Sequence, residues 1–524
     1  MKSETGKSSG DVSDIKFTKR FSANLITNLI SLVLSTLVGL LLVPYFLDTL
    51  GEAAYGLIPL ATSITTYVTL LIDALNVATS RYLMFDLRSS NIEKARTTFS
   101  TALTTILVCV LILCPIAVGL AFLSPYIFNI GDIAASDVVV LFLLVFISAL
   151  LNMVKANFTL ALYSYNRIDL KNYVSIFQTV LQIGLIVLLF TVFSPSLTSI
   201  GIAYLAAAVF SLLLAVVLAK CHCRELAVHP KYVSKECFMT LLSMTWWTLV
   251  KYGGTLLRSN IGLIIANIIC GVIAGAEYAI ILMWQTLLLS IVGSLSSLFI
   301  PNIYSYCAKK DTVGLYRFVS LAVRTTVIAV GVLVGLLVIY PTELFTIWVG
   351  SEYAELSKYV LILLFPVIFR SATDIINNVM IAELRVRENS LIYCFAGVMT
   401  AVASLIGAHF FGLSGIIVGA GLVMIFCESL MLMARTAPLL QVSLPALLKL
   451  YIPGIIALII TAVVGSVIHF LISGPVLLII LVGGGITGII SSLISLRLLT
   501  KEDRRMVRLC LPDFAKKIVP RWIL

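Results

Sequence analysis

Long apolar runs separated by short polar interruptions recur along the chain from Phe21 to Leu498. A helix needs roughly 20 consecutive apolar residues to cross a hydrocarbon core, and each run is close to or beyond that length. Read by apolar length, the segments are 21–46, 55–84, 99–123, 138–165, 173–193, 198–219, 241–270, 278–305, 317–340, 356–381, 390–411, 413–434, 450–472 and 475–498. The interruptions carry no period-2 alternation and no strand-sized apolar segments, so the pattern excludes a β-barrel. Backbone polar groups in lipid must then be satisfied inside helices. The expected fold class is an all-α polytopic membrane protein of about fourteen transmembrane helices.

Composition strengthens this reading. Of 524 residues, 60% are hydrophobic and 12% charged, with a mean hydropathy of +1.09, where a soluble chain carries roughly a quarter charged residues. Residues 1–20 are polar and rich in Ser and Lys; the first apolar run is too long for a signal peptide and lacks a small-residue cleavage site, so it reads as the first span. Cys109, Cys114, Cys270, Cys394 and Cys427 fall inside apolar runs. The other cysteines lie in or beside loops read as cytoplasmic, and disulfides are not expected.

The net charge of +11 is distributed by loop. One alternating set holds Arg88, Lys94 and Arg96, then Arg167 and Lys171, then Lys220, Arg224, Lys231 and Lys235, then Lys309 and Lys310, then Arg385 and Arg387, then Arg435 and Lys449. The other set, near Asp48, Asp132, Pro195, Gly275, Gly412 and Gly474, holds only Lys358. By the positive-inside rule the basic loops and both termini are cytoplasmic. The charge thus reports orientation rather than nucleic-acid binding, with a second role in holding anionic lipid headgroups. The tail 499–524, with Lys501, Arg504, Arg505, Arg508, Lys516, Lys517 and Arg521, reads as a basic amphipathic segment on the inner leaflet.

Shifting the chain on itself by about 220 residues brings similar features into register. EAAYG (Glu52 to Gly56) meets GAEYA (Gly275 to Ala279), RSSNIEKARTTF (Arg88 to Phe99) meets KKDTVGLYRF (Lys309 to Phe318), LSPYIF (Leu123 to Phe128) meets IYPTELF (Ile339 to Phe345), and Arg167 meets Arg387. The expected plan is six spans in 21–219, a cytoplasmic connection in 220–240, six more in 241–434, and two further spans in 435–498.

The segment from Asn24 to Leu83 resembles the opening of bacterial polysaccharide transporters, the O-antigen (Wzx-type) flippases of the multidrug/oligosaccharidyl-lipid/polysaccharide (MOP) superfamily. The matching parts are an Asn-rich first span, Pro44, the turn Leu-Gly-x-x-x-Tyr-Gly from Leu50 to Gly56, and Asp73 with Arg81 and Tyr82. The likeness returns at Trp246 to Ile265 and at Ser297 to Tyr306. The resemblance implies two six-helix, MATE-like lobes around a central cavity that opens alternately to each side. It also implies that the cargo is a lipid-linked sugar moved from the inner to the outer leaflet.

Ionisable residues inside spans cost about 2.5–3.5 kcal/mol each on insertion scales and tend to face a cavity. Asp73, Lys155, Lys251, Arg258, Arg370, Asp374 and Glu428 fall within apolar runs, and Arg324 lies nearer a cytoplasmic end, where it can snorkel. The cationic excess suits a pyrophosphate, since Arg offers a planar fork to phosphate oxygens and Lys a point charge. Lys251 and Arg258, seven residues apart, share a helix face; snorkelling is the alternative for Lys251. Arg370 and Asp374 stand at i and i+4, where they can pair. Candidate substrate-binding residues are Arg258, Lys251, Lys155, Arg370, Asn24 and Asn28, the last two equally readable as polar glue between helices. Candidates for coupling or gating are Asp73, Asp374 and Glu428, with interhelical hydrogen bonding as the alternative.

Cys221, His222, Cys223, His229 and Cys237 match no standard zinc spacing, and no phosphate-cradling Gly-Lys-Ser/Thr loop is present. No metal, cofactor or enzymatic role is expected. The expected function is a flippase for an undecaprenyl-pyrophosphate-linked oligosaccharide, with H⁺ or Na⁺ as a candidate coupling ion. A polysaccharide polymerase and a chain-length regulator are candidate partners. The alternatives are a cation-coupled multidrug antiporter, a lipid II flippase, or a membrane glycan polymerase or acyltransferase.

Overall fold

The computed structural model describes residues 37–88, 91–165, 167–226, 230–471 and 479–499, together with Thr27, Leu34 and Arg504. The described residues form helices and connecting turns, with no strand among them. Two compact units, Met1–Leu249 and Val250–Leu524, divide the chain.

The first unit contains α1 (Leu37–Leu50), α2 (Glu52–Arg88), α3 (Ile92–Ile127), α4 (Ala135–Ser164), α5 (Ile168–Val192) and α6 (Leu197–His222). Helix α4 is its axis, packed against α2, α3 and α6, and α5 packs on α6. Small residues on α6, including Gly201, Ala203, Ala207, Ala208 and Ser211, are buried and let the helices approach closely.

Helix α7 (Lys235–Ile265) crosses the boundary and ends in a π turn at Ala266–Cys270. The second unit continues with α8 (Val272–Lys309), α9 (Thr312–Ile339), the short α10 (Pro341–Trp348), a 3-10 stretch at Ser351–Tyr359, and α11 (Val360–Ala382). Then come α12 (Val386–Val423), a π turn at Met424–Leu430, α13 (Met431–Thr436), α14 (Leu444–Leu448), α15 (Ile452–Leu471) and α16 (Gly485–Ser495). Helix α11 packs on α8, α9 and α12, and α9 packs on α15.

Eleven helices among the described residues are long and apolar enough to cross a membrane. One of them, Val386–Thr436, accounts for two expected spans. Gly412 has φ +58° and ψ −137°, a conformation open to glycine and closed to residues with a Cβ. Beyond it the backbone of Gly415 returns against Gly407, and Gly419 against Ala403, so the two arms run antiparallel as a hairpin. Helix α10 and the following 3-10 stretch were not expected as elements, because they lie in a connection only about fifteen residues long.

The offset of 220 aligns Asn91 with Asp311. Both are helix N-caps: Asn91 Oδ1 accepts from Lys94 N at 3.1 Å, and Asp311 Oδ1 accepts from Gly314 N at 2.9 Å. Many hydroxyls within the apolar helices are satisfied by their own backbone, as when Thr400 and Thr461 donate to Ala396 O and Ala457 O at 2.8 Å, whereas Ser100, Ser320 and Ser404 are buried without a hydrogen-bond partner.

Candidate functional site

Helix α11 lies in the middle of the second unit and carries Arg370 and Asp374 on one face, one turn apart. Arg370 Nη2 lies 2.9 Å from Asp374 Oδ1, as the i, i+4 spacing allows. Its Nη1 donates to the Tyr393 hydroxyl at 3.0 Å and also meets Glu428 Oε1. The second Glu428 oxygen, Oε2, lies 3.1 Å from Arg258 Nε on α7. That contact is close enough for an ion pair but not aligned for a hydrogen bond. One carboxylate therefore spans two guanidinium groups from different helices.

Glu428 is fully buried and sits in the π turn Met424–Leu430. Such turns interrupt regular i to i+4 pairing and are frequent at functional sites. Ser429 beside it donates to Met424 O at 2.9 Å and accepts from Thr373 at 2.8 Å, tying the turn to α11.

Lys251 stands two turns from Arg258 on α7. Its ammonium donates to Asn377 Oδ1 at 2.9 Å and lies 5.0 Å from the centroid of the Tyr393 ring. The Arg370 guanidinium lies 5.6 Å from the same ring, so two cations share one aromatic face-bearing partner. Asn389 donates to the same Asn377 oxygen at 2.7 Å. Lys251, Arg258 and Arg370 thus stand against Asp374 and Glu428, leaving one positive charge in excess.

The close crossing of α7 and α12 makes this assembly possible. A Cβ on Gly254 would run into the Tyr393 carbonyl, and one on Gly397 would run into the Gly254 carbonyl. Glycine at both positions lets the backbones touch, midway between Lys251 and Arg258.

Arg258 is 8% exposed and opens on a cavity of about 410 Å³. Ser259, Asn260, Gln285, Thr286 and Ser290 supply hydroxyls and amides to its wall. The volume is within the range of small-molecule sites, about 300–1,000 Å³. A guanidinium beside a wall of neutral donors and acceptors can take an anionic group together with a polyhydroxylated one.

In the first unit, Lys155 on α4 donates to Asn152 Oδ1 at 2.6 Å and to Gln178 Oε1, while Gln178 Nε2 donates to the same Asn152 oxygen at 3.2 Å. A separate cavity of about 260 Å³ is lined by Asn76, Ser80, Thr159, Tyr163 and Lys171 together with the apolar Val77, Ala156 and Leu160. Asp73 lies on α2, its side chain outside the described set, and Asn24 and Asn28 lie outside the described residues. Arg324 lies on α9, half-buried.

The structure therefore brings Lys251, Arg258, Arg370, Asp374 and Glu428 together in the second unit. It adds Tyr393, Asn377 and Asn389, which sequence reasoning did not single out. Isolated amides within apolar runs were the available signal for Asn377, and for Asn152 beside Lys155. Nothing comparable marked Tyr393.

Residues 21–303, more than half of the chain, match the family described as polysaccharide biosynthesis protein. The uncharacterized membrane protein EpsK of Bacillus subtilis (strain 168) is 29% identical over 349 residues, which is 66% of this chain and 68% of EpsK. The inward closed conformation of the lipid II flippase MurJ superposes with a TM-score of 0.68 at 14% identity, over 90% of this chain and 97% of that one. An inward-facing multidrug resistance MATE family transporter of the MOP superfamily superposes with a TM-score of 0.66 at 13% identity, over 79% and 95%. At those identities the two structures establish a shared fold. The chain is a multi-pass helical membrane protein that belongs to the polysaccharide biosynthesis protein family and shares its fold with the lipid II flippase and the MATE transporter.

Proposed function

We propose that the protein flips an undecaprenyl-pyrophosphate-linked oligosaccharide, the repeat unit of O-antigen or a related polysaccharide, from the inner to the outer leaflet of the bacterial cytoplasmic membrane by alternating access. The observation that carries this reading is Arg258. One side of its guanidinium is held by Glu428, and the other lines a cavity whose wall mixes neutral hydroxyls and amides with apolar side chains such as Leu282, Leu289 and Met424. The pyrophosphate would exchange with Glu428 as partner of Arg258, so that the buried guanidinium is never left without an anion. The sugar would lie against Asn260, Gln285 and Ser290. Lys251 and Arg370 hold the positive excess that favours a doubly charged diphosphate over a neutral lipid. Lys155, with its amide partners, is the candidate substrate-binding cation of the first unit.

In this reading, segments 21–219 and 241–434 are the two repeated lobes, 435–498 adds two helices, and both termini are cytoplasmic. A polymerase and a chain-length regulator are the expected protein partners. A cationic-drug antiporter fits less well, because both carboxylates of the cluster are already engaged by arginine.

Reconstitution tests the proposal. Vesicles carrying a fluorescent undecaprenyl-pyrophosphate oligosaccharide in both leaflets should, with protein present, expose the inner-leaflet pool to an impermeant periodate reagent over time. Exposure at the protein-free rate rejects the reading. In cells, deletion should leave the lipid-linked repeat unit facing the cytoplasm.

A further inference from the structure

A second cavity, of about 440 Å³, lies in the first unit where α6 ends, away from the Arg258 cluster in sequence and chemistry. Its walls are apolar: Phe99 and Phe158 meet edge to face at 6.1 Å, and Cys223 and Leu226 are buried beside them. Lys220 and Arg224, both exposed, stand at its mouth.

These two cations have no ion-pair partner among the described residues, whereas the charged groups around them are engaged. The Glu225 carboxylate accepts from the Tyr165 hydroxyl at 3.1 Å, its carbonyl accepts from Arg96 Nε at 2.6 Å, and Arg167 pairs with Asp169 at 3.1 Å. Leu213 and Val217, each 56% exposed, lie on the same α6 face as Lys220, and Arg224 stands in the turn that follows the helix. The candidate span Leu197–His222 ends at this point, where a helix passes from hydrocarbon to headgroup.

We infer that this cavity binds an anionic phospholipid, its phosphate held by Lys220 and Arg224, its glycerol region against Phe99 and Phe158, and an acyl chain along Leu213 and Val217. A free phosphate would use the cations but leave the aromatic wall and the apolar stripe without a role. A zwitterionic lipid would bring its own cation against Lys220 and Arg224. The site is independent of the proposed cargo and of the Arg258 cavity.

The test uses the full chain in detergent, with phosphatidylglycerol retention read by native mass spectrometry against phosphatidylcholine of the same acyl composition. The wild type should retain phosphatidylglycerol preferentially. The exposed double variant Lys220→Gln/Arg224→Gln should lose that preference by about thirtyfold, from the usual contribution of each basic residue to anionic-lipid attraction. Ala219→Leu, which fills the cavity and keeps both cations, should lose retention too. Retention of phosphatidylglycerol by the double variant at the wild-type level overturns the inference. So does equal retention of phosphatidylcholine by the wild type, or displacement of the lipid by millimolar inorganic phosphate alone.

Discussion

Arg258 and Glu428 come from segments 170 positions apart in the chain and meet at 3.1 Å, with the carboxylate fully buried. Because Glu428 also engages Arg370, its carboxylate joins α7 to α11, beside the hydrogen bond from Lys251 on α7 to Asn377 on α11. A buried carboxylate shared by two guanidiniums is stable only while both cations stay close, since removing one partner leaves an uncompensated charge in low dielectric. The same arrangement supplies a site for exchange: an incoming anion can take over one guanidinium without unpairing the other.

Glu428→Gln tests this coupling. It removes one of two carboxylates facing three cations, and breaking a buried pair from one side costs about 3–5 kcal/mol. The melting temperature in detergent should fall clearly below wild type, and millimolar pyrophosphate should recover part of the loss by supplying the missing anion. An unchanged melting temperature would mean that Glu428 contributes little to holding the helices, contrary to its burial.

The crossing of α7 and α12 gives a second, purely steric prediction. In Gly254→Ala the new methyl meets the Tyr393 carbonyl, and backbone rather than a flexible side chain must move. Overpacking of this kind costs about 1–3 kcal/mol. The control is Gly484→Ala, where nothing lies within 4 Å of the added carbon. Thermal denaturation should separate the two; similar losses in both would show that the crossing is looser than the structure has it.

The extent to which the sequence foretold this site follows the range of the interactions. Arg370 with Asp374, and Lys251 with Arg258, were legible because helical geometry alone fixes what shares a face at spacings of four and seven. The meeting of Glu428 with both arginines was not, because it depends on tertiary packing and on a π turn that no hydrophobic period announces. The helices themselves were legible from apolar length, since lipid leaves the backbone no other way to satisfy its hydrogen bonds. Gly412 was visible as an interruption free of basic residues, but its role as the bend of an antiparallel hairpin required its φ and the Gly407–Gly415 contact. Tyr393 escaped because an aromatic residue in an apolar span looks like packing until two cations are seen beside it.

Two cysteines near the end of α6 should differ in reactivity. Cys221 is exposed, whereas Cys223 is buried and burial pushes its thiol up to about 12, against a smaller opposing effect of Arg167. The thiolate is the reactive form, so a raised pKa means little thiolate at neutral pH and roughly tenfold more for each pH unit gained below 12. Maleimide labelling at pH 7, located by peptide mass spectrometry, should modify Cys221 well ahead of Cys223, and the gap should narrow as pH rises. Equal rates at pH 7 would show that the cavity admits reagent and water freely.

Substitution at Arg258 separates charge from geometry in the proposed transport. Arg258→Ala removes the only cation lining the 410 Å³ cavity among the described residues and leaves Glu428 with Arg370 alone. If the guanidinium binds a phosphate, the loss corresponds to a charge-assisted hydrogen bond of about 1.5–3 kcal/mol, a tenfold to hundredfold fall in apparent affinity for the lipid-linked cargo. Arg258→Lys keeps the charge but not the planar fork, so it should still pair with Glu428 and retain more transport than Ala, with a melting temperature near wild type. The measurement is flipping rate against cargo concentration in reconstituted vesicles, read beside the melting temperature of each variant. Equal loss in Lys and Ala at wild-type stability would assign Arg258 to fork geometry rather than to charge, and equal loss with lowered stability would make it a structural partner of Glu428.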